Sequence, residues 1–443
     1  MTSSITALLP NLNTSHIRHK DIQALFEGLS QSTGVEVIHE GNSFEGRSIK
    51  RITYGFGPIK ILAWTQMHGD EATATAAVFD LLDALLSNRD SRLSDAQSLF
   101  TLNIVPMLNP DGAEYCTRHN AQGIDMNRDA MAKQTPEGNI LMRLVDELKP
   151  HVAFNLHDQS SYYQCGTNGT PSTIAFLAPA FDVEKSVNES RHLAMALIGA
   201  MQKAVNKHIP DCIARYDDTF SPRSFGDRIS EKGAATILIE SGAARNDPNR
   251  QIARKMNVVA MLEAMFILKE QHKHQLDIST LNSLTQSYWD IPQNCSETLS
   301  SLVVRNLTFA GEHSYQASIS IKQTARYSNA FFIDAVGDLG VQAGLCEFDA
   351  SKLQYDCGAV CAINAPTVIT NESYFHYLKQ GVIAFEGELE NLDNQSDYPV
   401  LVNQPLPTNP HALTLQQAAY FLMRKGNKVV AAVLNGLLIE FNE

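Results

Sequence analysis

No stretch of this 443-residue sequence approaches the roughly 18 unbroken apolar residues of a membrane-spanning helix. The opening, Met1 to Pro10, lacks the basic n-region and apolar h-region of a secretion leader. Positive charge is short: 35 Lys and Arg against 48 Asp and Glu leave a formal net charge of −13. That balance argues against a nucleic-acid partner and against anionic membrane surfaces, and no basic stripe or aromatic-plus-arginine platform offsets it. Cysteines are few, odd in number and scattered, at Cys116, Cys165, Cys212, Cys295, Cys346, Cys357 and Cys361, which excludes a disulfide framework. Cys357-Gly-Ala-Val-Cys361 lies near Cys346, but this spacer without a second close pair is poor zinc-ligand spacing. Triplets such as Asn306-Leu307-Thr308 carry no glycosylation argument without a leader. The expectation is a cytoplasmic protein.

The chain exceeds what one core usually organises, so two domains are expected. Its pivot is Gln66-Met67-His68-Gly69-Asp70-Glu71, between the apolar run Ile59 to Trp64 and an amphipathic stretch, Ala72 to Leu86. That order predicts a buried strand, a sharp exit and a helix. A histidine and a glutamate three residues apart on such an exit can reach one cation, although a solvated turn has the same spacing. Upstream, His19 to Leu29 has helical periodicity, and Gly41 to Ile49 reads as a glycine-bounded turn into a strand at Ile52-Thr53-Tyr54. Downstream, a strand at Thr101 to Val105 ends in the turn Asn109-Pro110-Asp111-Gly112. The loop Arg118 to Asp129 is dense in polar groups, and Arg118 and Arg128 could converge on a carboxylate or form surface ion pairs. A helix from Pro136 to Lys149 precedes the buried strand Val152 to Leu156, with His157 at its end. Another helix, Glu189 to His208, precedes the strand Ala235 to Ile239, which delivers Glu240. A carboxylate there is costly to bury unless it pairs or works. So His68, His157 and Glu240 each follow an apolar strand, and in open α/β sheets sites assemble at the strands' carboxyl ends.

With these residues in place the sequence resembles the zinc carboxypeptidase (metallocarboxypeptidase) family. Gly41-x-Ser43-x-Glu45-Gly46-Arg47-x-Ile49 resembles the family's opening motif, His68-x-x-Glu71 its first two zinc ligands, and His157 its third. Asn109-Pro110-Asp111-Gly112 and Asp125-x-Asn127-Arg128 match in order and type, and Glu240 matches the catalytic glutamate. The resemblance covers about residues 38 to 268. Asp70, where the digestive enzymes carry arginine, is similar to the bacterial and intracellular branches. His157 is followed by Asp158-Gln159 rather than Ser-Tyr, and Tyr216 is the nearest counterpart of the family's mobile-loop tyrosine.

The resemblance implies an α/β domain with a mixed twisted sheet flanked by helices, binding Zn2+ through His68, Glu71 and His157. It implies Glu240 as general base, Arg118 as oxyanion donor, and Asn127 and Arg128 as the grip on a substrate's terminal carboxylate. Asp125 would orient His68, and Tyr216 would touch substrate. The expected partner is a peptide, cut at its C-terminal amide bond. An aspartoacylase or succinylglutamate-desuccinylase type of amidohydrolase shares the triad and would take an acylated amino acid instead. A non-catalytic binding protein on a peptidase scaffold is the third reading. In the family the base of the specificity pocket precedes the catalytic glutamate, here around Phe225-Gly226-Asp227, flanked by Arg223 and Arg228.

The boundary is expected after residue 274, with a β-rich accessory domain over residues 275–443. Strands are expected at Leu302 to Phe309, Tyr315 to Lys322, Ala330 to Val336, Val382 to Phe385, Lys428 to Leu434 and Leu437 to Phe441. Thr414-Leu415-Gln416-Gln417 fits a capping box and predicts a helix to Met423, closed by Gly426. No catalytic set is recognisable there; packing, shaping the cleft and a homo-oligomer interface are the open roles.

Overall fold

A computed structural model describes residues 8–441 apart from 168, 296–297, 325–329 and 405–410. The chain forms two compact units that part after Glu297. Among the described residues of the first unit ten strands follow in order: β1 (Val35–Asn42), β2 (Ser48–Tyr54), β3 (Ile59–Trp64), β4 (Phe100–Val105) and β5 (Val152–Asp158), then β6 (Gln164–Cys165), β7 (Ile174–Leu177), β8 (Ile213–Arg215), β9 (Ala235–Ser241) and β10 (Asn294–Cys295). Eight of them form one mixed sheet in the order β1-β2-β4-β3-β5-β9-β7-β8. The centre, β4-β3-β5-β9, is parallel; β1-β2, β2-β4 and β9-β7 are antiparallel. Every residue of β5 and β9 is buried. That is why these strands read as unbroken apolar runs rather than alternating ones: helices cover both faces of a parallel sheet.

Thr73–Leu86, expected to be amphipathic, is buried on nearly every side. Its small alanine-rich surface lets it sit in one core cluster with residues of the sheet and of Gln251–His272. The helices Pro136–Leu148 and Glu189–Asn206 form close to their expected limits, capped by Thr135 and Asn188 side chains.

The first unit runs on past the boundary expected after residue 274. The helix Ile278–Trp289 packs on Glu189–Asn206. Contact is close because position 199 is glycine: a Cβ there would lie 2.0 Å from Leu284 O. Buried Tyr288 accepts a hydrogen bond from Ala178 N at 3.4 Å, and β10 pairs with β6. The Ser287-to-Pro292 stretch therefore finishes this unit instead of linking two.

The second unit, Thr298–Glu443, is β-rich. Six expected strands are present, at Ser300–Phe309, Tyr315–Gln323, Phe331–Gly337, Val382–Gly387, Lys428–Leu434 and Leu437–Glu440. A large sheet is accompanied by a three-stranded parallel sheet and a two-stranded pair. The helix expected over Thr414 to Met423 is not formed. Tyr420–Lys425 is a strand, and Gly426 turns it into Lys428–Leu434 as a hairpin. Half of the capping box survives, with Thr414 N donating to Gln417 Oε1 at 3.1 Å. Gln416 is left-handed, however, and its N–H goes to Ile333 O. Sheet pairing has overridden a local helix signal. The helix that does form, Asn371–Lys379, carries a Thr370/Ser373 capping box.

Candidate metal centre and active site

The exit from β3 is built before the ligands are. Gln66 takes a left-handed conformation (φ 46°), affordable because its side chain is over-determined. Its Nε2 donates to Ile17 O and Gly69 O, both at 2.9 Å, and its Oε1 accepts from Thr75 Oγ1 at 2.7 Å. Gly69 then presses on the helix opened by Asn109-Pro110-Asp111-Gly112: a Cβ at 69 would lie 1.9 Å from the Gly112 carbonyl carbon. Asp111 in turn accepts from Ser43 Oγ at 2.6 Å, Glu45 N at 2.9 Å and Arg47 Nη1 at 2.7 Å. The Gly41-to-Ile49 and Asn109-to-Gly112 motifs thus brace one another and hold the His68 loop in place.

His68 and Glu71 leave this exit, and His157 comes from β5. All three are buried. Both imidazoles turn Nδ1 to the one carboxylate: His68 Nδ1 is 3.0 Å from Glu71 Oε1, and His157 Nδ1 is 2.7 Å from Oε2. Among the described residues these three form one group whose donor atoms lie within 4.8 Å of one another. Asp158 N also donates to Glu71 Oε2 at 3.1 Å. On the far side of His68, Nε2 is 3.0 Å from Asp125 Oδ1, an acceptor that, in the neutral ring, takes the Nε2 proton and leaves the Nδ1 lone pair for a metal.

The three groups are electrostatically linked. Burial would lower the His68 pKa, but the Glu71 charge and the Asp125 bond outweigh it and push it up to about 9. Burial likewise disfavours the Glu71 carboxylate, yet the two imidazoles hold it well below the usual range. His157 is pushed down, chiefly by burial. Two nitrogens and a carboxylate, buried and preorganised, fit a zinc ion's hardness and its tetrahedral habit.

Glu240 lies outside this group but beside it. In the parallel pairing of β5 and β9 it is the register partner of His157. Tyr216, just past β8, is half-buried; the Glu240 charge and then burial raise its pKa, which keeps the phenol protonated. Its ring stacks edge-on against Tyr163 at 6.3 Å. Arg118 is exposed, with Nη1 3.2 Å from His68 Nδ1 and 3.7 Å from Glu71 Oε1. It is held by Asp125 Oδ2, which accepts from its Nε at 3.2 Å and its Nη2 at 3.0 Å. Burial opposes the Asp125 charge, but His68 and Arg118 hold its carboxyl far below the usual aspartate range. Asp125 also accepts from Asn127 N at 2.9 Å. Asn127 spends Oδ1 on Phe225 N at 3.0 Å, while Arg128 is exposed and donates to Asn127 O at 2.7 Å. Asp125 therefore joins the metal group to the Arg118 and Asn127-Arg128 segments.

Asp227, in the segment expected to floor the pocket, is buried, and its Oδ2 accepts from Ser221 N at 2.6 Å. Burial pushes its pKa up from 3.8 to about 6. A folded-state pKa above the unfolded one means stability is full below pH 3.8 and falls as pH rises through about 6. Asp227→Asn is therefore expected to add up to about 3 kcal/mol at pH ~8 and almost nothing at pH ~4. Urea unfolding at the two pH values checks this; equal effects at both would contradict it.

Several residues around the site carried no sequence motif: Asp158, Gln159, Thr73, Tyr163 and Arg250. Asp158-Gln159 was visible as a departure from the family pattern. Arg250 sits in a polar stretch without periodicity, and two of its partners are backbone carbonyls.

A mixed α/β sheet here brings two histidines and a glutamate together at its strand exits as a candidate metal centre. Residues 22–170 match the family model described as zinc carboxypeptidase. Among solved structures it is similar to a metallo-carboxypeptidase from Burkholderia cenocepacia, with 18% identity and a TM-score of 0.50 over 59% of this chain and 71% of that one. It is also similar to carboxypeptidase A from Helicoverpa armigera, with 17% identity and a TM-score of 0.46 over 60% and 76%. At 18% identity the Burkholderia likeness speaks to fold alone. An uncharacterized protein of Zymomonas mobilis is 27% identical over 163 residues, which is 35% of this chain and 42% of that protein's length. Among the described residues no disulfide joins the seven cysteines, and no helix is long and apolar enough to cross a membrane.

Proposed function

We propose that the chain is a zinc-dependent carboxypeptidase that hydrolyses the C-terminal amide bond of peptides. The observation that carries this reading is the buried His68–Glu71–His157 donor set with Glu240 in register beside it. Zinc held by those three residues would supply a Lewis acid for the scissile carbonyl. Glu240 takes the proton of the attacking water and passes it to the leaving amine. Arg118, fixed by Asp125, donates to the developing oxyanion. Asn127, with Oδ1 committed to Phe225 N, has its amide N–H groups left for the substrate's terminal carboxylate, and Arg128 offers a planar fork to the same group. Tyr216, kept protonated beside Glu240, donates to the substrate backbone.

Arg128 separates this reading from a general amidase. A hydrogen bond to a charged group is worth roughly 1.5–3 kcal/mol, so amidating the substrate's C-terminus is expected to cost about 10–150-fold in kcat/KM. Arg128→Ala should lose a similar factor on free-acid peptides and little more on amidated ones. Arg128→Lys should recover only part, because a point charge lacks the fork. If the losses from amidation and from Arg128→Ala multiply, Arg128 is not the carboxylate clamp. Running N-acyl amino acids beside the peptides tests the acylamino-acid hydrolase alternative in the same assay.

A further inference from the structure

The strands that deliver His157 and Glu240 are neighbours, and both chains leave the sheet just beyond these residues. Behind that exit lies Arg250, whose side chain is 5% exposed. It ends the loop after β9 in a left-handed conformation, directly before the helix Gln251–His272. The helix's first N–H groups are already taken by Asp247, with Gln251 N and Ile252 N donating to it at 2.9 and 2.6 Å. Arg250 is thus free to turn inward. Its Nη1 donates to Gln159 O at 3.0 Å and to Ser241 O at 2.6 Å, and its Nη2 donates to Ser161 Oγ at 2.9 Å. One acceptor follows His157 by two residues; another follows Glu240 by one.

Burying a guanidinium needs a counter-charge, and Asp158 supplies it, with Oδ2 at 3.9 Å from Nη1 and its side chain fully buried. The same Oδ2 accepts from Thr73 Oγ1 at 2.8 Å, at the start of the helix after the His68 exit. The backbone N–H of Asp158 holds Glu71 Oε2. One cation therefore reaches, through two carbonyls and one carboxylate, the segments carrying His157, Glu240 and Glu71.

We infer that Arg250 is a positioning residue: by clamping the Gln159 and Ser241 carbonyls and pairing with Asp158, it sets the distance between the metal ligands and the base. This rests on the carboxypeptidase reading for its catalytic half, whereas its metal half stands on the donor set alone. Arg250 touches neither substrate nor the donor atoms, so its signature is a change in kcat and in metal retention with KM preserved.

The test uses the full chain and Arg250→Lys, which keeps the charge opposite Asp158 but has no planar fork to span both carbonyls and Ser161. Thermal unfolding, zinc release to a chelator, and kcat and KM on an N-blocked dipeptide with a free C-terminus are compared with the wild type. Outer-sphere changes of this kind cost about 10–100-fold in metal affinity or activity, so zinc release is expected to quicken and kcat to fall by that factor, with KM within about threefold. The unfolding midpoint should stay close to that of the wild type. If the lysine variant does not fold, the double variant Arg250→Met/Asp158→Asn, which removes both charges together, should fold and show the same signature. Wild-type kcat and zinc release in a folded variant would overturn the proposal. So would failure of both variants to fold, since that assigns Arg250 to stability. A wild type that binds zinc but cleaves no substrate would defeat the functional reading while leaving the zinc-release comparison to judge Arg250.

Discussion

Replacing Glu240 with glutamine is expected to lower kcat by about 10²–10⁴-fold, roughly 3–5 kcal/mol of barrier, while zinc content and KM stay near wild type. Glutamine has the shape of glutamate but cannot accept a proton from water. Glu240 stands outside the His68–Glu71–His157 group, so metal retention should not depend on its charge. Its place on β9, buried and paired on both sides by β5 and β7, leaves little room for the strand to shift and let another carboxylate substitute. Near-normal turnover would move the base elsewhere, and loss of zinc would put Glu240 among the ligands.

The second large effect is on the metal. His68→Ala or His157→Ala removes one of three donors and leaves the Glu71 carboxylate buried with a single imidazole. The loss of affinity should exceed the roughly 10–100-fold typical of an outer-sphere change. Asp125→Asn, which weakens the bonds to His68 Nε2 and Arg118 but removes no donor from the group, provides that smaller reference. Metal analysis after dialysis should find the alanine variants without stoichiometric zinc and inactive, with the sheet's circular dichroism retained. Full occupancy in either variant would remove that histidine from the ligand set.

Much of this arrangement is legible in the sequence, for a physical reason. A parallel central strand is apolar throughout, so a histidine or glutamate at the end of one stands out; His68, His157 and Glu240 were each marked that way. The motif around Asp111 was legible too, although its ion pair with Arg47 and its bonds to Ser43 and Glu45 make it a brace for the site. Three features were misread or hidden. Thr414 to Met423 had a helix's punctuation, but Phe421 and Met423 belong to one face of a sheet core, and pairing decided the outcome. The first unit extends past residue 274 because a glycine at 199 admits a further helix, a contact about 85 residues away in sequence that local periodicity cannot reveal. Arg250 was hidden because backbone carbonyls, which every residue has, leave no mark in a sequence.

The most direct measurement of the central claim is product analysis by mass spectrometry. An N-blocked peptide with a free C-terminus is incubated with the zinc-loaded chain, the zinc-stripped chain and the zinc-stripped chain after zinc is restored. The account predicts products shortened one residue at a time from the C-terminus, absent without zinc and recovered when it returns. Internal cuts, release from N-acyl amino acids alone, or equal cleavage by the stripped chain would contradict it.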